Sequence, residues 1–294
     1  MSADILPFKA ASGSIAPEPP KLRMQRAFGV GRVSFKAPPS PNAPPALDEL
    51  YQEGAAKIRL PKVYSDMAEA ALINTSGGLT GGDIMNWRVD LHANTKAVIS
   101  TQACEKIYRA SEDTARVTND LVVGENAELH WLPQETILFN EASLTRKLHV
   151  ELAPSARFVG VEAIILGRQA MGEQVESAFF KDSWRVHRGG KLLHADELSL
   201  SGSVAELSRN AAVLNGARAF ASLLFVAPED QEVLNARART LQCEQDRAVT
   251  ALSAFNGKLV GRVAAADGFA LRQALIPLLS GLREGYSLPK LWNL

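Results

Sequence analysis

Four carboxylates stand where the residues around them make a charge conspicuous: Asp83, Glu135, Glu162 and Glu173. Asp83 closes L-I-N-T-S-G-G-L-T-G-G-D (Leu72 to Asp83), Glu135 lies in the otherwise apolar L-P-Q-E-T-I-L-F, Glu162 in F-V-G-V-E-A-I-I-L-G, and Glu173 follows Met171-Gly172. Carboxylates are ligands for hard and borderline divalent cations, so residues of this kind suit a route or a weak site for such an ion. Glu162 carries the argument furthest. With period-two alternation it shares a strand face with Phe158, Ile164 and Leu166, while Val159, Val161, Ala163 and Ile165 form the other face. A strand apolar on both faces is buried on both. An isolated carboxylate there is costly, so it must be neutral, paired with a cation or open to a water-filled passage. The structural reading is an ion pair with Arg168 or Arg109; the functional one is a wall residue of a polar channel. Asp83 has the same two readings, a local Asx-type turn or cap against a neighbour of Glu162 on a cation path. Glu135 and Glu173 are weaker candidates of the same kind.

Other chemistries find no support in the sequence. Gly77 to Gly82 has the G-x-x-x-x-G length of a phosphate-binding loop, but Asp83 and Ile84 replace the lysine and Ser/Thr that would hold phosphate and magnesium. His92, His130, His149, His187 and His194 occur singly, without H-x-H or H-E-x-x-H. Cys104 and Cys243 form no C-x-x-C, and Cys104 reads as a small buried residue of an alternating strand. No G-x-S-x-G elbow and no nucleophile, base and orienter can be assembled, so no catalytic residue is assigned.

The elements that must position these residues are mostly strands. The glycine-rich stretch joins the apolar run Ala68 to Ile73 to the alternation Met85, Trp87, Val89, Leu91, which makes it a tight loop between two strands. Val30, Val33 and Phe35 suggest a first strand, followed by the proline-rich Ala37 to Pro45 and a second strand over Lys57 to Val63 interrupted by Pro61. From Ala68 to Leu200 the chain reads as nearly continuous β-structure. Its turns fall at Gly81-Gly82, Ala93-Asn94, Gly124-Glu125, Pro154-Ser155 and Gly189-Gly190. Three units recur, N-T-K-A-V-I from Asn94, N-A-E-L-H-W from Asn126 and S-A-R-F-V-G from Ser155, at spacings of 32 and 29 residues. That rhythm fits stacked β layers, as in a solenoid or β-helix, with an ordinary sandwich as the alternative. After about residue 219 the texture changes to a small α+β portion. It comprises a strand over Ser222 to Val226, a helix from Pro228 to Gln242, a hairpin across Asn256-Gly257 and an amphipathic helix from Phe269 to Leu282 with Pro277 as a kink. The tail L-P-K-L-W-N-L would expose Leu288, Leu291, Trp292 and Leu294 unless it docks, on the body of the chain in preference to a partner. The fold class expected is therefore mainly β, a stacked β-sheet or β-helix-like body with that C-terminal α+β portion. Residues 1–22, rich in Pro, Ala and Ser, read as a mobile tail, and residues 23–294 as one β-rich domain.

The glycine-rich stretch resembles the signature of the urease accessory protein UreD family, called UreH in some organisms. T-Q-A-C-E-K-I-Y-R (Thr101 to Arg109), L-P-Q-E-T-I-L-F (Leu132 to Phe139) and L-G-R-Q-A-M-G-E (Leu166 to Glu173) resemble further signatures of that family in the same order. The resemblance implies a non-enzymatic cytosolic chaperone that binds apo-urease with UreF and UreG and helps pass nickel into urease through an internal polar tunnel. Nickel would be in transit, with no cofactor tightly bound, and Asp83 and Glu162 would lie on its path. GTP hydrolysis would belong to UreG, in keeping with the missing phosphate-loop lysine.

Composition bounds the alternatives. The 294 residues are 46% hydrophobic, enough for a sizeable core, and 32 basic residues balance 32 acidic ones, scattered along the chain. A nucleic-acid or anionic-membrane partner is therefore not expected. The N-terminus lacks a basic segment followed by an apolar run, and no apolar stretch reaches membrane-spanning length, so a cytoplasmic protein is expected. Two other classes remain beside the maturation scaffold: an enzyme of unknown type, and a β-rich protein- or carbohydrate-binding module with no role in metal delivery.

Overall fold

The glycine loop sits between β4 (Ala68–Asn74) and β5 (Ile84–Leu91). Gly82 has φ +85, and a Cβ on Gly81 would come within 2.1 Å of the Glu112 carbonyl oxygen, so one glycine serves backbone shape and the other close approach. These elements come from a computed structural model describing residues 25–38, 40, 43–62, 65–168, 171–242 and 245–293. The expected tail over residues 1–22, Cys243, Leu294 and the end of the second expected strand at Val63 lie outside the described residues.

From the loop onward the chain coils. β5, β8 (Ala115–Val123), β11 (Ser143–Leu152) and β13 (Ser177–Arg188) pair in parallel in one sheet. β4, β6 (Lys96–Thr101), β9 (Glu128–Leu132) and β12 (Arg157–Leu166) pair in parallel in another. The chain passes from sheet to sheet at the three recurring turns, which stack. The Asn94 N–H donates to the Glu125 carbonyl (2.8 Å), Asn126 Nδ2 to Asn94 Oδ1 (3.3 Å), and the Asn126 N–H to Ser155 Oγ (2.8 Å). Asn94 and Asn126 both adopt left-handed backbone, with φ of 59° and 54°, a conformation that asparagine tolerates better than most residues. The body is thus a solenoid-like β stack. The short strands β7 (Glu105–Ile107) and β10 (Thr136–Leu138) bridge within the second sheet.

Further strands extend both layers. The first sheet has seven strands, gaining β1 (Phe28–Lys36) and β2 (Ala46–Gly54) at one edge and β14 (Lys191–Ser203) at the other. The second gains β3 (Ala56–Arg59) at one edge and β15 (Ala219–Val226), β17 (Lys258–Ala265) and β16 (Ala248–Phe255) at the other. β2 falls in a stretch for which the sequence suggests no strand, because its side chains from Leu47 onward are all exposed and carry no alternation. The second expected strand is correspondingly short, ending at Arg59. A short helix, α1 (Val204–Arg209), also has no counterpart in the sequence reading.

Two apolar layers result. One fills the space between the sheets. The other covers the outer face of the second sheet with α2 (Gln231–Leu241), α3 (Gly268–Leu282) and the C-terminal turn Lys290–Asn293. The hairpin β16–β17 turns at Asn256 and Gly257, φ 49° and 70°, the type I′ geometry expected of Asn-Gly. α3 begins after Asp267, whose Oδ1 accepts the Ala270 N–H at 2.8 Å, and buries Leu271, Leu275, Leu278, Leu279 and Leu282. Phe269 is 70% exposed rather than part of the apolar face, since two positions before Leu271 place it well round the helix. The tail docks on the body: Trp292 is fully buried and its Nε1 donates to the Leu132 carbonyl at 3.0 Å.

Candidate functional site

Glu162 lies on β12 facing the first sheet, with Phe158, Ile164 and Leu166, while Val159, Val161 and Ala163 face the helices. The residue is 4% exposed. Its cation is Arg146, not Arg168 or Arg109: Arg146 Nη1 stands 2.6 Å from Glu162 Oε2. Arg168 pairs instead with Glu173 and Arg109 with Glu141, both on outer loops. Proximity along the chain misleads here, because the partner comes across the core from the opposite sheet.

Arg146 projects from β11 and is itself anchored. In the parallel register it opposes Asp182 of β13, to which Nε donates at 3.0 Å and Nη2 at 2.8 Å. This two-pronged pairing fixes the plane of the guanidinium. Nη1 also donates to Thr136 Oγ1 at 3.1 Å. The carboxylates have further donors, Trp131 Nε1 to Glu162 Oε1 at 2.9 Å and Trp184 Nε1 to Asp182 Oδ2 at 3.2 Å. Burial pushes the Glu162 carboxyl above the ordinary carboxylate range, against the pull of Arg146. Burial also disfavours the Arg146 charge, but Asp182 and Glu162 outweigh it and hold the guanidinium protonated.

A cavity of about 50 Å³ lies beside this cluster, walled by Glu162, Arg146, Thr136, Trp131, Asn119, Gln134 and Glu105 among others. It has room for a few waters. Asn119 is 3% exposed, and its Oδ1 accepts no hydrogen bond from the described residues. Leu72, Trp87, Thr101 and Glu105 are also walls of a second cavity, of about 260 Å³, which extends to Asn74, Gly77 and Cys104. The Glu105 carboxyl, pushed up to about 7 by burial, receives Asn74 Nδ2 at 3.1 and 3.2 Å. The two adjoining cavities are therefore lined by two carboxylates, Glu162 and the half-buried Glu105, and by an unmatched amide oxygen, all oxygen donors suited to a divalent cation.

The other expected residues have structural partners. Asp83 Oδ1 accepts the Ala27 N–H and Oδ2 the Thr80 N–H, each at 2.8 Å. Both donors precede it in the chain, so the carboxylate ties its own loop to the residue before β1 instead of forming an Asx-type turn, whose bond runs to the N–H two residues on. Asp83 is not among the walls of the cavity beside Glu162. Glu135 receives Arg272 of α3 through Nε at 3.0 Å and Nη2 at 2.7 Å, and Cys104 Sγ at 3.4 Å. Glu173 closes its own loop, accepting the Asn140 N–H at 3.2 Å, the Arg168 N–H at 3.1 Å and Arg168 Nε at 2.8 Å. Cys104 precedes β7 in a loop rather than lying in a strand, and burial pushes its thiol up to about 12. Among the described residues no three His, Cys, Asp or Glu side chains gather at one point.

Arg146, Asp182, Trp131, Asn119 and Glu105 are missing from the sequence reading. For Arg146 and Asp182 a signal exists. Leu144, Arg146, Leu148 and Val150 occupy one face of β11, and Phe180, Asp182, Trp184 and Val186 one face of β13. Each charge breaks an apolar face just as Glu162 does.

Comparison with known proteins agrees with the motif resemblance. The profile of the UreD urease accessory protein family matches residues 29–293. Urease accessory protein UreD of Agrobacterium fabrum is 52% identical over 273 residues, 93% of this chain and 93% of that protein. The protein of the same name from Rhizobium leguminosarum bv. viciae is 51% identical over 272 residues, 92% of this chain and 97% of its own length. That from Sinorhizobium medicae is 48% identical over 286 residues, 97% of this chain and 99% of its own. With half its residues shared along nearly its whole length, the chain belongs to the UreD urease accessory protein family.

Proposed function

We propose that this chain acts in urease maturation as a non-enzymatic accessory protein. It binds apo-urease together with UreF and UreG and passes nickel through the polar interior between its two sheets. Family membership supports the maturation role. The observation that carries the route is Glu105, a half-buried carboxylate that walls both the cavity beside Glu162 and the larger one reaching Asn74 and Cys104. Nickel is cargo in this reading. Separate carboxylates, each already bonded to protein, suit a cation that moves on rather than one that stays. No helix among the described residues is long and apolar enough to cross a membrane.

The test is genetic and analytical. In a urease-producing host whose own copy of the gene is deleted, the wild-type chain restores both urease activity and the nickel content of purified urease. Glu162→Gln and Glu105→Gln lower the nickel content while still co-purifying with UreF and urease at wild-type yield. Deletion without effect on activity or nickel would refute the maturation role. Loss of complex in step with loss of nickel would make both glutamates folding residues.

A further inference from the structure

Glu162 is a buried oxygen donor in the wall of the inner cavity, yet a carboxylate that holds a divalent cation too well would stop its passage. The residue that prevents this is identifiable. Arg146 is buried, 4% exposed, and two of its three nitrogens are tied to Asp182 at 3.0 and 2.8 Å across neighbouring strands in register. The guanidinium is planar, so this pairing fixes the third nitrogen, Nη1, where it meets Thr136 at 3.1 Å and Glu162 at 2.6 Å. The protein thus supplies its own cation to the carboxylate that an incoming metal would seek. The two cations compete for the same oxygens and repel each other in a space of about 50 Å³.

We propose that Arg146 is the positioning residue that makes cation binding at Glu162 transient, by occupying the carboxylate as a fixed internal competitor. Asp182 serves to hold Arg146 in that position. Without Arg146, Glu162 and the unmatched Oδ1 of Asn119 in the same cavity would offer oxygen ligands to a divalent cation with no rival charge. This assignment rests on reading the interior as a nickel route.

The experiment measures retention of nickel itself. Purified full-length chain is incubated with nickel sulfate, desalted, and its metal content determined by mass spectrometry. Arg146→Gln with Asp182→Asn removes the competitor and its anchor as a neutral, hydrogen-bonding pair. Wild type is expected to retain little nickel, and the double variant close to one ion per chain with at least tenfold tighter binding. Adding Glu162→Gln abolishes that gain. A folded double variant that retains no more nickel than wild type overturns the proposal, as does a triple variant that retains as much as the double. If the double variant is unfolded without metal, the proposal requires nickel to restore its near-ultraviolet circular dichroism, and failure to do so overturns it. Retention is read on the isolated protein. Nickel trapping in a chain whose deletion leaves urease untouched would therefore uphold the role of Arg146 and refute delivery, while loss of urease activation on deletion without trapping would do the reverse.

Discussion

Both oxygens of Asp83 are taken by backbone N–H groups, of Ala27 and Thr80, and this assigns the residue to structure. Asp83→Ala leaves two partly buried donors without their acceptor and is expected to destabilise the chain by about 1–3 kcal/mol in chemical denaturation, with nickel delivery per folded molecule unchanged. Glu105 behaves oppositely, because burial raises its pKa from 4.5 to about 7. Between those values the folded chain keeps a proton that the unfolded chain has released. Stability therefore falls as pH rises through that window and is constant, as far as this group is concerned, on either side. Glu105→Gln should flatten the fall by an amount on the order of 3 kcal/mol, seen by comparing guanidinium chloride midpoints of variant and wild type at pH 4.5 and pH 7.5. Equal differences at the two pH values would show that Glu105 is well solvated. At this scale the sequence was half legible. A charge on an apolar strand face exposed Glu162, and the same sign at Arg146 and Asp182 reveals the cluster once all three strands are compared. That Arg146 rather than Arg168 meets Glu162 depends on which strands face each other across the core, and no local pattern encodes that.

Turns decided the architecture more than strands did. The recurrence at Asn94, Asn126 and Ser155 was legible because stacked turns demand similar residues at similar spacing, and the hydrogen bonds between successive copies are its physical cause. β2 was illegible for the converse reason: an edge strand exposed along its length has no buried face to impose alternation. Asn126 tests the role of the turns. Its left-handed backbone and its bond to Asn94 both favour asparagine. Asn126→Ala should cost about 1–2 kcal/mol, and Asn126→Gly less, since glycine restores the backbone conformation and loses only the side-chain bond. Equal costs for the two, measured by denaturant unfolding, would mean that the side-chain bond and not the backbone governs the turn.

At the scale of the whole molecule, the outer apolar layer is covered by α2, α3 and one short C-terminal turn. Trp292 closes the outer layer and reaches toward the inner one. Its Nε1 bonds the Leu132 carbonyl, the Arg272 guanidinium lies 5.5 Å from its ring, and the carbonyl of neighbouring Leu291 accepts Gln134 Nε2 at 3.0 Å. Gln134 is also a wall of the cavity beside Glu162, so the tail connects the outer seal to the polar interior. Two substitutions separate packing from hydrogen bonding. Trp292→Phe keeps most of the buried ring and loses the indole donor, leaving the Leu132 carbonyl unmet, with an expected loss of about 1–3 kcal/mol. Trp292→Ala also empties a fully buried site and should cost about 3–5 kcal/mol, with exposed apolar surface detected by dye binding. The ordering is the test. Were the two variants equally unstable in thermal and denaturant unfolding, the indole hydrogen bond alone would hold the tail, and the outer apolar layer would be closed without the Trp292 ring.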